Sequence, residues 1–333
     1  MKRQRNSSIS NSRETIRLIV FLVGFAILAG LFGKALLKVN KEATYYAEEK
    51  WQDYYSKEKN SIDAIILGPS TAYHTLDPNI LAESGTEAFN MGSPLQKPKE
   101  TYHVLKELLK TQKPSYIIYD FYWGVCSDEK YLNAKLFNYQ QMKPSVEKIK
   151  YFLNVFEPDQ YGYAAMPMMV YHNSTEKVLD VLAKRVDNFP EKEAYLAKYR
   201  GRGFEAQKEQ WDGTVEGFDP EQTAVPEFGW SESELKWLDK IYKLCKNNGI
   251  ELIMITSPLS IEYMEAYNQH WYNYGNIHKF MVDWTEKRGI KYKDYNFLDI
   301  GLKPTDYTDT HHLNENGAKI VTQEFIKDFS MGK

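Results

Sequence analysis

The chain contains little cysteine and no excess of positive charge. Its 333 residues include only Cys126 and Cys245, and the formal net charge at pH 7 is -3. Two thiols cannot supply the disulfide framework on which small exported domains depend, although the sequence leaves open whether they pair. Because no basic patch opposes the slight negative charge, we expect no binding to nucleic acid.

Nucleotide-binding fingerprints and internal repeats are also missing from the sequence. The chain has neither a Walker motif nor a dinucleotide-binding glycine pattern, and no segment is repeated or of low complexity. We therefore expect no nucleotide cofactor, and no other cofactor is implied. A chain of 333 residues can bury a large core, and one domain with an insertion fits this length as well as two domains.

One apolar segment near the amino terminus is long enough to cross a membrane. Residues 18–33 carry no charge, and with Lys34 snorkelling the apolar span extends to residue 37, which gives 20 residues. Five basic residues precede this segment and three follow it, so we expect a cytoplasmic tail at 1–17 and an exported body. The alternative is a cleaved signal peptide, but no small-x-small cleavage site follows. We therefore predict a signal anchor at 18–37.

The segment after the anchor has a different composition from the rest of the chain. Residues 38–60 are rich in charged residues, aromatic residues and strong helix formers, and we interpret them as a helical stalk that lifts the body off the membrane. Residues 61–333 then form one domain, interrupted at about 125–228 by an insertion with weak helical patterns. The insertion follows the third predicted strand, so it forms either a cap over the site or a peripheral decoration.

Five short, mostly apolar runs alternate with helical patterns along the domain. This alternation predicts an α/β fold with a doubly wound parallel sheet, that is, a three-layer α/β/α sandwich with five strands. The predicted strands are Ala64–Leu67, Ala88–Asn90, Tyr116–Phe121, Glu251–Thr256 and Tyr292–Asp294. The predicted helices of the domain are Asp77–Ser84, Lys99–Thr111, Ser231–Asn248, Ile261–Arg288 and Asn314–Phe329.

Ser70 directly follows the first predicted strand, which Gly68 and Pro69 bring to an end. A serine at this place lies at the carboxyl edge of the sheet, where α/β proteins build their sites. Near the other end of the chain, Asp309 stands three residues before His312, on a loop ahead of the last helix. A serine becomes nucleophilic when a histidine takes its proton, and a carboxylate orients that histidine. The three side chains are therefore candidate catalytic residues.

This arrangement resembles the SGNH (GDSL-like) hydrolase and acyltransferase superfamily, in which the serine follows the first strand and Asp-x-x-His precedes the last helix. The resemblance covers roughly 61–111 and 240–330 and implies a flavodoxin-like fold. It also implies that Ser70 is the nucleophile, that Asp309 is the orienting acid and that His312 is the base.

The same resemblance implies an oxyanion hole. The segment Phe89–Ser93 is similar to the second block of the family, so the backbone N–H groups of Gly92 and Ser70 are the expected donors. Two features depart from the family pattern. Pro69 replaces the usual acidic residue before the serine, and no Gly-x-Asn-Asp block is visible near 119–124. One oxyanion donor therefore stays unassigned.

Four further residues are possible substrate-binding residues, namely His74, Asp120, Trp123 and His311. His74 follows Ser70 by four residues and would face the same crevice if a helical turn follows, but a lone histidine is more often a polar residue at a helix start. Asp120 ends a buried strand, so it binds a sugar hydroxyl or caps a loop. The doubled histidine suggests a metal site with Asp309, but adjacent residues on an extended loop point in opposite directions and no other His or Cys completes a shell. We therefore expect no metal.

The resemblance also implies a function and a location. Membrane-anchored members of this superfamily act beside polytopic O-acyltransferases on cell-envelope polymers. We therefore expect an extracytoplasmic domain on the cell membrane that transfers acyl groups through Ser70 onto a polysaccharide or a teichoic-acid-like polymer. A carbohydrate O-esterase of the same fold is the first alternative. The second alternative is a catalytically inactive protein that binds envelope polysaccharide or assembles a membrane complex. The absence of the Gly-x-Asn-Asp block favours this second alternative.

Overall fold

The computed structural model of the chain describes residues 4–39, 42–126, 131–171, 178–179, 183, 190–215, 231–270 and 274–332. The strands are β1 Ala64–Leu67, β2 Ala88–Asn90, β3 Tyr116–Asp120, β4 Glu251–Thr256 and β5 Lys291–Asp294. The helices up to the insertion are α1 Gln4–Val39, α2 Glu49–Ser56, α3 Ser70–Thr75, α4 Pro78–Glu83 and α5 Pro98–Leu108. Those within the insertion are α6 Leu132–Gln141, α7 Val146–Val155, α8 Tyr161–Ala165, α9 Pro167–Tyr171 and α10 Pro190–Lys198. The last four are α11 Glu232–Asn247, α12 Ile261–His270, α13 Tyr274–Glu286 and α14 Glu315–Phe329.

The five strands form one parallel sheet in the order β2-β1-β3-β4-β5, which confirms the predicted α/β class and sheet. Chain order reverses at β1, because β1 lies between β2 and β3. At such a reversal the connections leave towards opposite faces, so a crevice opens at the carboxyl edge of the strands. The residues that directly follow β1 and β3 therefore border this crevice.

Alternate residues of the strands pack against helices on opposite faces of the sheet, as the pleat of a strand requires. On one face, Ile65 and Leu67 join a core that includes side chains of α5, α11 and α13. On the other face, Ala64 and Ile66 join a core that includes side chains of α4 and α14. The sheet is thus covered on both sides, which is the predicted three-layer arrangement.

Two helices differ from the sequence-based expectation. Ser70–Thr75 forms a helix that the apolar pattern did not predict, because six residues are too few to show a helical period. The predicted single helix Ile261–Arg288 is two helices, α12 and α13, and residues 271–273 between them lie outside the described part. The inserted segment is described only in part.

Helix α1 contains the segment Ser12–Leu37, which has 26 residues and a mean hydropathy of 2.4. Among the described helices it is the one long and apolar enough to cross a membrane. Its carboxyl-terminal turns contact the body, since Ala35 and Leu36 are buried in a small cluster with Val178, against which Tyr171 packs. The amino-terminal helix therefore supports the expectation of a single membrane-spanning segment.

The predicted stalk is helical, but it is packed into the domain. The side chains of Trp51 and Tyr54 in α2 are each 1% exposed. The Trp51 indole donates to Asn138 Oδ1 at 3.1 Å, and the Tyr54 hydroxyl donates to the Leu108 carbonyl at 2.7 Å. The expectation that 38–60 lifts the body off the membrane is thus wrong for α2, because its aromatic side chains are buried against α5 and α6.

Candidate active site

Ser70 is placed by a tight turn at the end of β1. Gly68 adopts φ +140°, and a Cβ at this residue would lie 2.7 Å from the carbonyl oxygen of Asp120, so only glycine fits there. Pro69 then precedes the first residue of α3, which is Ser70 itself. The strand, the turn and the helix together hold the Ser70 side chain at the crevice between β1 and β3.

The loop that carries Asp309 and His312 is fixed by its own hydrogen bonds. Asp309 Oδ1 accepts the backbone N–H groups of His311 and His312, both at 2.9 Å. Directly after the loop, the Asn314 side chain accepts two backbone N–H groups in the first turn of α14 and caps that helix. Both ends of the loop are therefore held, and the directions of its side chains are set.

The structure brings Ser70, His312 and Asp309 into one hydrogen-bonded chain. His312 Nε2 lies 2.7 Å from Ser70 Oγ, and His312 Nδ1 lies 2.8 Å from Asp309 Oδ2. These distances let the imidazole take the hydroxyl proton while the carboxylate holds the ring in one tautomer. The arrangement can perform nucleophilic catalysis at an ester or a similar acyl group.

The Asp309 carboxyl is held in its ionised form. Burial alone would raise its pKa, but the hydrogen bond and charge of His312, with a smaller contribution from His311, outweigh burial and keep that pKa well below its ordinary value. An ionised carboxylate beside Nδ1 stabilises the imidazolium that forms when His312 accepts a proton. The charge distribution thus favours the same direction of proton transfer as the geometry.

Two more imidazole rings flank His312. The ring centroid of His311 lies 4.0 Å from that of His312, and the centroid of His74 lies 4.8 Å from it. Burial lowers the pKa of His311 to about 4, and burial together with the neighbouring His312 lowers the pKa of His74 well below its ordinary value. Both flanking rings are therefore neutral near neutral pH. Among the described residues, the buried Nδ1 of His74 has no hydrogen-bond partner.

The Gly92 N–H, an expected oxyanion donor, is already engaged in this structure. It donates to Asn90 Oδ1 at 3.0 Å, and Asn90 Nδ2 donates to the carbonyls of Ala72 and Leu76 in and after α3. Asn90 thus ties the turn after β2 to the helix that begins at Ser70. While this bond is made, the Gly92 N–H is not available to an oxyanion, whereas the Ser70 N–H has no acceptor within the described residues.

Two of the possible substrate-binding residues, Asp120 and Trp123, are buried. Asp120 accepts the backbone N–H of Ser257 at 3.0 Å and its hydroxyl at 2.8 Å, and burial raises the pKa of this carboxyl to about 6. Trp123 is 3% exposed and its ring lies 5.0 Å from that of Tyr274. Asp120 therefore caps the loop after β4, and Trp123 belongs to the core, since the chain turns inwards after β3.

A cavity of about 860 Å³ lies beside His74. His74 forms part of its wall, so the cavity begins next to the ring that contacts His312. Five aromatic rings line it, namely Tyr46, Tyr73, Tyr131, Phe137 and Tyr195. The insertion contributes lining residues from 131–137 and 203–207 and also Tyr195. The described part of the insertion therefore forms a large share of the cavity wall, as a cap would.

Lys50 links the segment after α1 to this site. Its Nζ donates to the Gly92 carbonyl at 2.6 Å and lies 4.6 Å from the centre of the Tyr73 ring. Burial lowers the pKa of Lys50 to about 7, although the charge of Glu205 acts in the opposite direction. Sequence analysis missed Lys50 and Asn90, because nothing in a run of charged residues marks one lysine as buried. In the segment Phe89–Ser93, the resemblance indicated a role for Gly92 but none for Asn90.

A metal ion at Asp309, His311 and His312 would compete with the hydrogen bonds that these residues make. Ligand atoms of Asp309, His311 and His312 lie within 4.8 Å of one another. However, both ring nitrogens of His312 already have partners, Ser70 on one side and Asp309 on the other. An ion bound by His312 would therefore have to displace one of these two contacts.

Comparison with known proteins identifies one matching region. A family model for a domain of unknown function matches residues 222–331. This region includes β4, β5 and the loop with Asp309 and His312. It does not include Ser70, and it covers less than half of the chain. The curated proteins contain no match to the chain.

Proposed function

We propose that this protein is a membrane-anchored, serine-dependent O-acyltransferase that acts on a hydroxyl-rich polymer outside the cytoplasm. The observation that carries the proposal is the hydrogen-bonded chain from Ser70 through His312 to Asp309, with both distances below 3 Å. The resemblance of the same residues to the SGNH superfamily supports the choice of ester chemistry.

The reaction has two halves that use the same base. His312 Nε2 accepts the Ser70 proton while Oγ attacks the carbonyl carbon of the acyl donor, and the proton then passes to the leaving oxygen. The Ser70 N–H has no acceptor within the described residues and is therefore available to bond the developing oxyanion. In the second half, His312 takes the proton of an acceptor hydroxyl, whose oxygen attacks the acyl carbonyl carbon. His312 then returns this proton to Ser70 Oγ as the acyl–Oγ bond breaks.

The cavity beside His74 favours transfer to a sugar over transfer to water. Aromatic rings stack on the apolar faces of sugars, and the cavity presents five of them together with Lys50 and Glu205. A bound hydroxyl close to His312 has a large entropic advantage over free water, and a filled cavity also excludes solvent. A carbohydrate O-esterase is the second candidate, because an open cavity would admit water to the same acyl-enzyme.

An exported acyltransferase needs an acyl donor and a partner protein at the membrane. Acyl-CoA is confined to the cytoplasm, so an exported enzyme needs an acyl group that is delivered across or at the membrane. A polytopic membrane O-acyltransferase is the kind of partner that could supply it. A catalytically inactive binding protein is the third candidate, which the engaged Gly92 N–H favours.

Ser70→Ala separates these candidates in cells. We expect a strain that lacks the protein, when complemented with Ser70→Ala at equal protein level, to lose ester-linked acyl groups from its envelope polymer relative to wild type. A rise in ester content would support the esterase, and no change would contradict both enzymatic functions. In vitro, a fluorophosphonate probe should label wild type and the exposed-serine control Ser56→Ala but not Ser70→Ala.

A further inference from the structure

Exposed apolar side chains are concentrated in one part of the body. Outside α1, eleven large apolar side chains are exposed among the described residues, and seven of them lie between positions 146 and 179. We call this set the apolar shoulder; its members are Val146, Ile149, Leu153, Tyr163, Met166, Met169 and Leu179. The helices that carry them are neighbours, because the ring centroid of Phe152 in α7 lies 4.7 Å from that of Tyr161 in α8, and α8 leads into α9. Exposed apolar side chains grouped on neighbouring helices mark a place where something apolar is bound.

Helix α7 shows the pattern most clearly. Its inner face is buried through Tyr151 and Val155, which pack in the main core. Its outer face carries Val146, Ile149 and Leu153, at spacings of three and four residues, with exposed fractions of 70%, 60% and 57%. A surface helix normally carries polar residues on its outer face, so α7 has a second apolar face without a described partner.

The shoulder is joined to the membrane-spanning helix. Tyr171, the last residue of α9, and Val178 pack against Ala35 and Leu36 of α1. The predicted anchor 18–37 has 20 residues and is therefore about 30 Å long, which equals the thickness of the hydrocarbon core of a bilayer. Ala35 and Leu36 then lie in the last turn of the span, near the boundary between acyl chains and headgroups, and α9 lies there with them.

The charges on and next to α7 also fit a lipid surface. Lys143 lies three residues before α7 and Lys150 lies within it, and both are exposed, so they can contact anionic headgroups. Glu157 and Asp159 lie beyond the carboxyl end of α7. The acidic residue of α7, Glu147, is buried and lies 2.5 Å from His103, so it does not face outwards. Apolar residues flanked by exposed lysines are typical of helices that lie in the membrane interface.

We propose that the apolar shoulder lies in the boundary between headgroups and acyl chains of the same membrane that α1 spans. The domain would then be attached at two places, through α1 and through the shoulder, which fixes its orientation relative to the bilayer. This inference concerns the position of the domain and does not depend on which ester chemistry Ser70 performs.

Site-specific fluorescence on the full-length protein tests the inference. Ile149→Cys and Leu153→Cys are labelled with an NBD thiol reagent and reconstituted in vesicles of phosphatidylethanolamine and phosphatidylglycerol. Ile261→Cys is the matched control, because Ile261 is 69% exposed and lies outside the shoulder. The native thiols give little background, since Cys126 and Cys245 are each 1% exposed. Unchanged melting temperatures show that the variants are folded.

We expect labels at Ile149 and Leu153 to be quenched by lipids with doxyl-labelled acyl chains and to lose the quenching by aqueous iodide that the Ile261 label shows. Equal iodide quenching at all three positions would overturn the inference. Shielding from both quenchers in purified vesicles would overturn it in favour of a second copy of this chain. Shielding that appears only in native membranes would overturn it in favour of a protein partner.

Discussion

His312 Nε2 lies 2.7 Å from Ser70 Oγ, although 242 positions separate the two residues in the chain. The contact depends on the parallel sheet, because β1 ends directly before Ser70 and α14 begins directly after the histidine loop. Both residues therefore lie at the carboxyl edge of the same sheet. The fold sets the distance between the proposed nucleophile and the proposed base, which come from opposite ends of the domain.

Asp309→Asn tests the role of the carboxylate. An amide at this position keeps an oxygen for the two backbone N–H groups but favours the wrong tautomer of His312, so we expect the rate of fluorophosphonate labelling at Ser70 to fall by about 10²–10⁴-fold. Asp306→Asn is the matched control, because Asp306 lies on the same loop and bonds the Lys303 N–H rather than a histidine. Equal labelling rates for the two variants would show that Asp309 does not orient His312.

Gly203→Ala tests the contact between the insertion and β2. Gly203 adopts φ +79°, and a Cβ there would lie 1.9 Å from the Asn90 carbonyl oxygen. Gly249→Ala is the control, since Gly249 has φ +68° but no atom within 4 Å of the added Cβ. We expect Gly249→Ala to lower the free energy of unfolding by about 1–2 kcal/mol through backbone strain alone, and Gly203→Ala by about 1–3 kcal/mol more. Urea unfolding in detergent measures both values, and equal losses would contradict the close approach.

Lys50→Met tests the burial of the amine beside Gly92. Burial lowers the folded-state pKa of Lys50 from 10.5 to about 7, so between these values the unfolded chain binds more protons than the folded protein. The free energy of unfolding of wild type therefore gains a contribution that rises with pH across this window, by on the order of a few kcal/mol, and the variant lacks it. Urea unfolding near pH 7 and near pH 9 should show wild type gaining stability relative to Lys50→Met. A difference that does not change with pH would argue against a buried, titrating amine.

Trp51→Ala tests whether α2 belongs to the domain. Because the Trp51 ring is buried in the main core, we expect its truncation to lower the free energy of unfolding by about 3–5 kcal/mol. Gln52→Ala, at the exposed neighbouring position, should change it by less than about 0.5 kcal/mol. If both variants unfold like wild type, α2 is a free stalk after all.

The sheet could be predicted because its signals are local. Each strand is a short apolar run between turn residues, and the observed strands start and end within one residue of the predicted positions. The candidate triad was likewise visible, since Ser70 follows a strand and Asp309 and His312 share one loop. Sequence spacing carries this information because strand ends and helix starts are themselves encoded over a few residues.

The rest of the site could not be predicted because it depends on contacts between distant segments. Lys50 bonds the Gly92 carbonyl across 42 positions, and the Trp51 indole bonds Asn138 across 87. Trp123 follows a strand at the functional edge, yet it turns into the core, because packing after β3 decides its direction. Periodicity reports which face of an element is apolar, but it does not report which other element covers that face.

Three separate parts of the chain meet at Asn90–Gly92. Lys50 reaches it from the segment after α1, α3 is bonded to it through Asn90, and the Asn90 N–H donates to the Arg202 carbonyl within the insertion. The consequence is practical: a soluble version without the membrane helix would have to begin before Lys50 and retain the loop around Arg202, because both segments hold this turn in place.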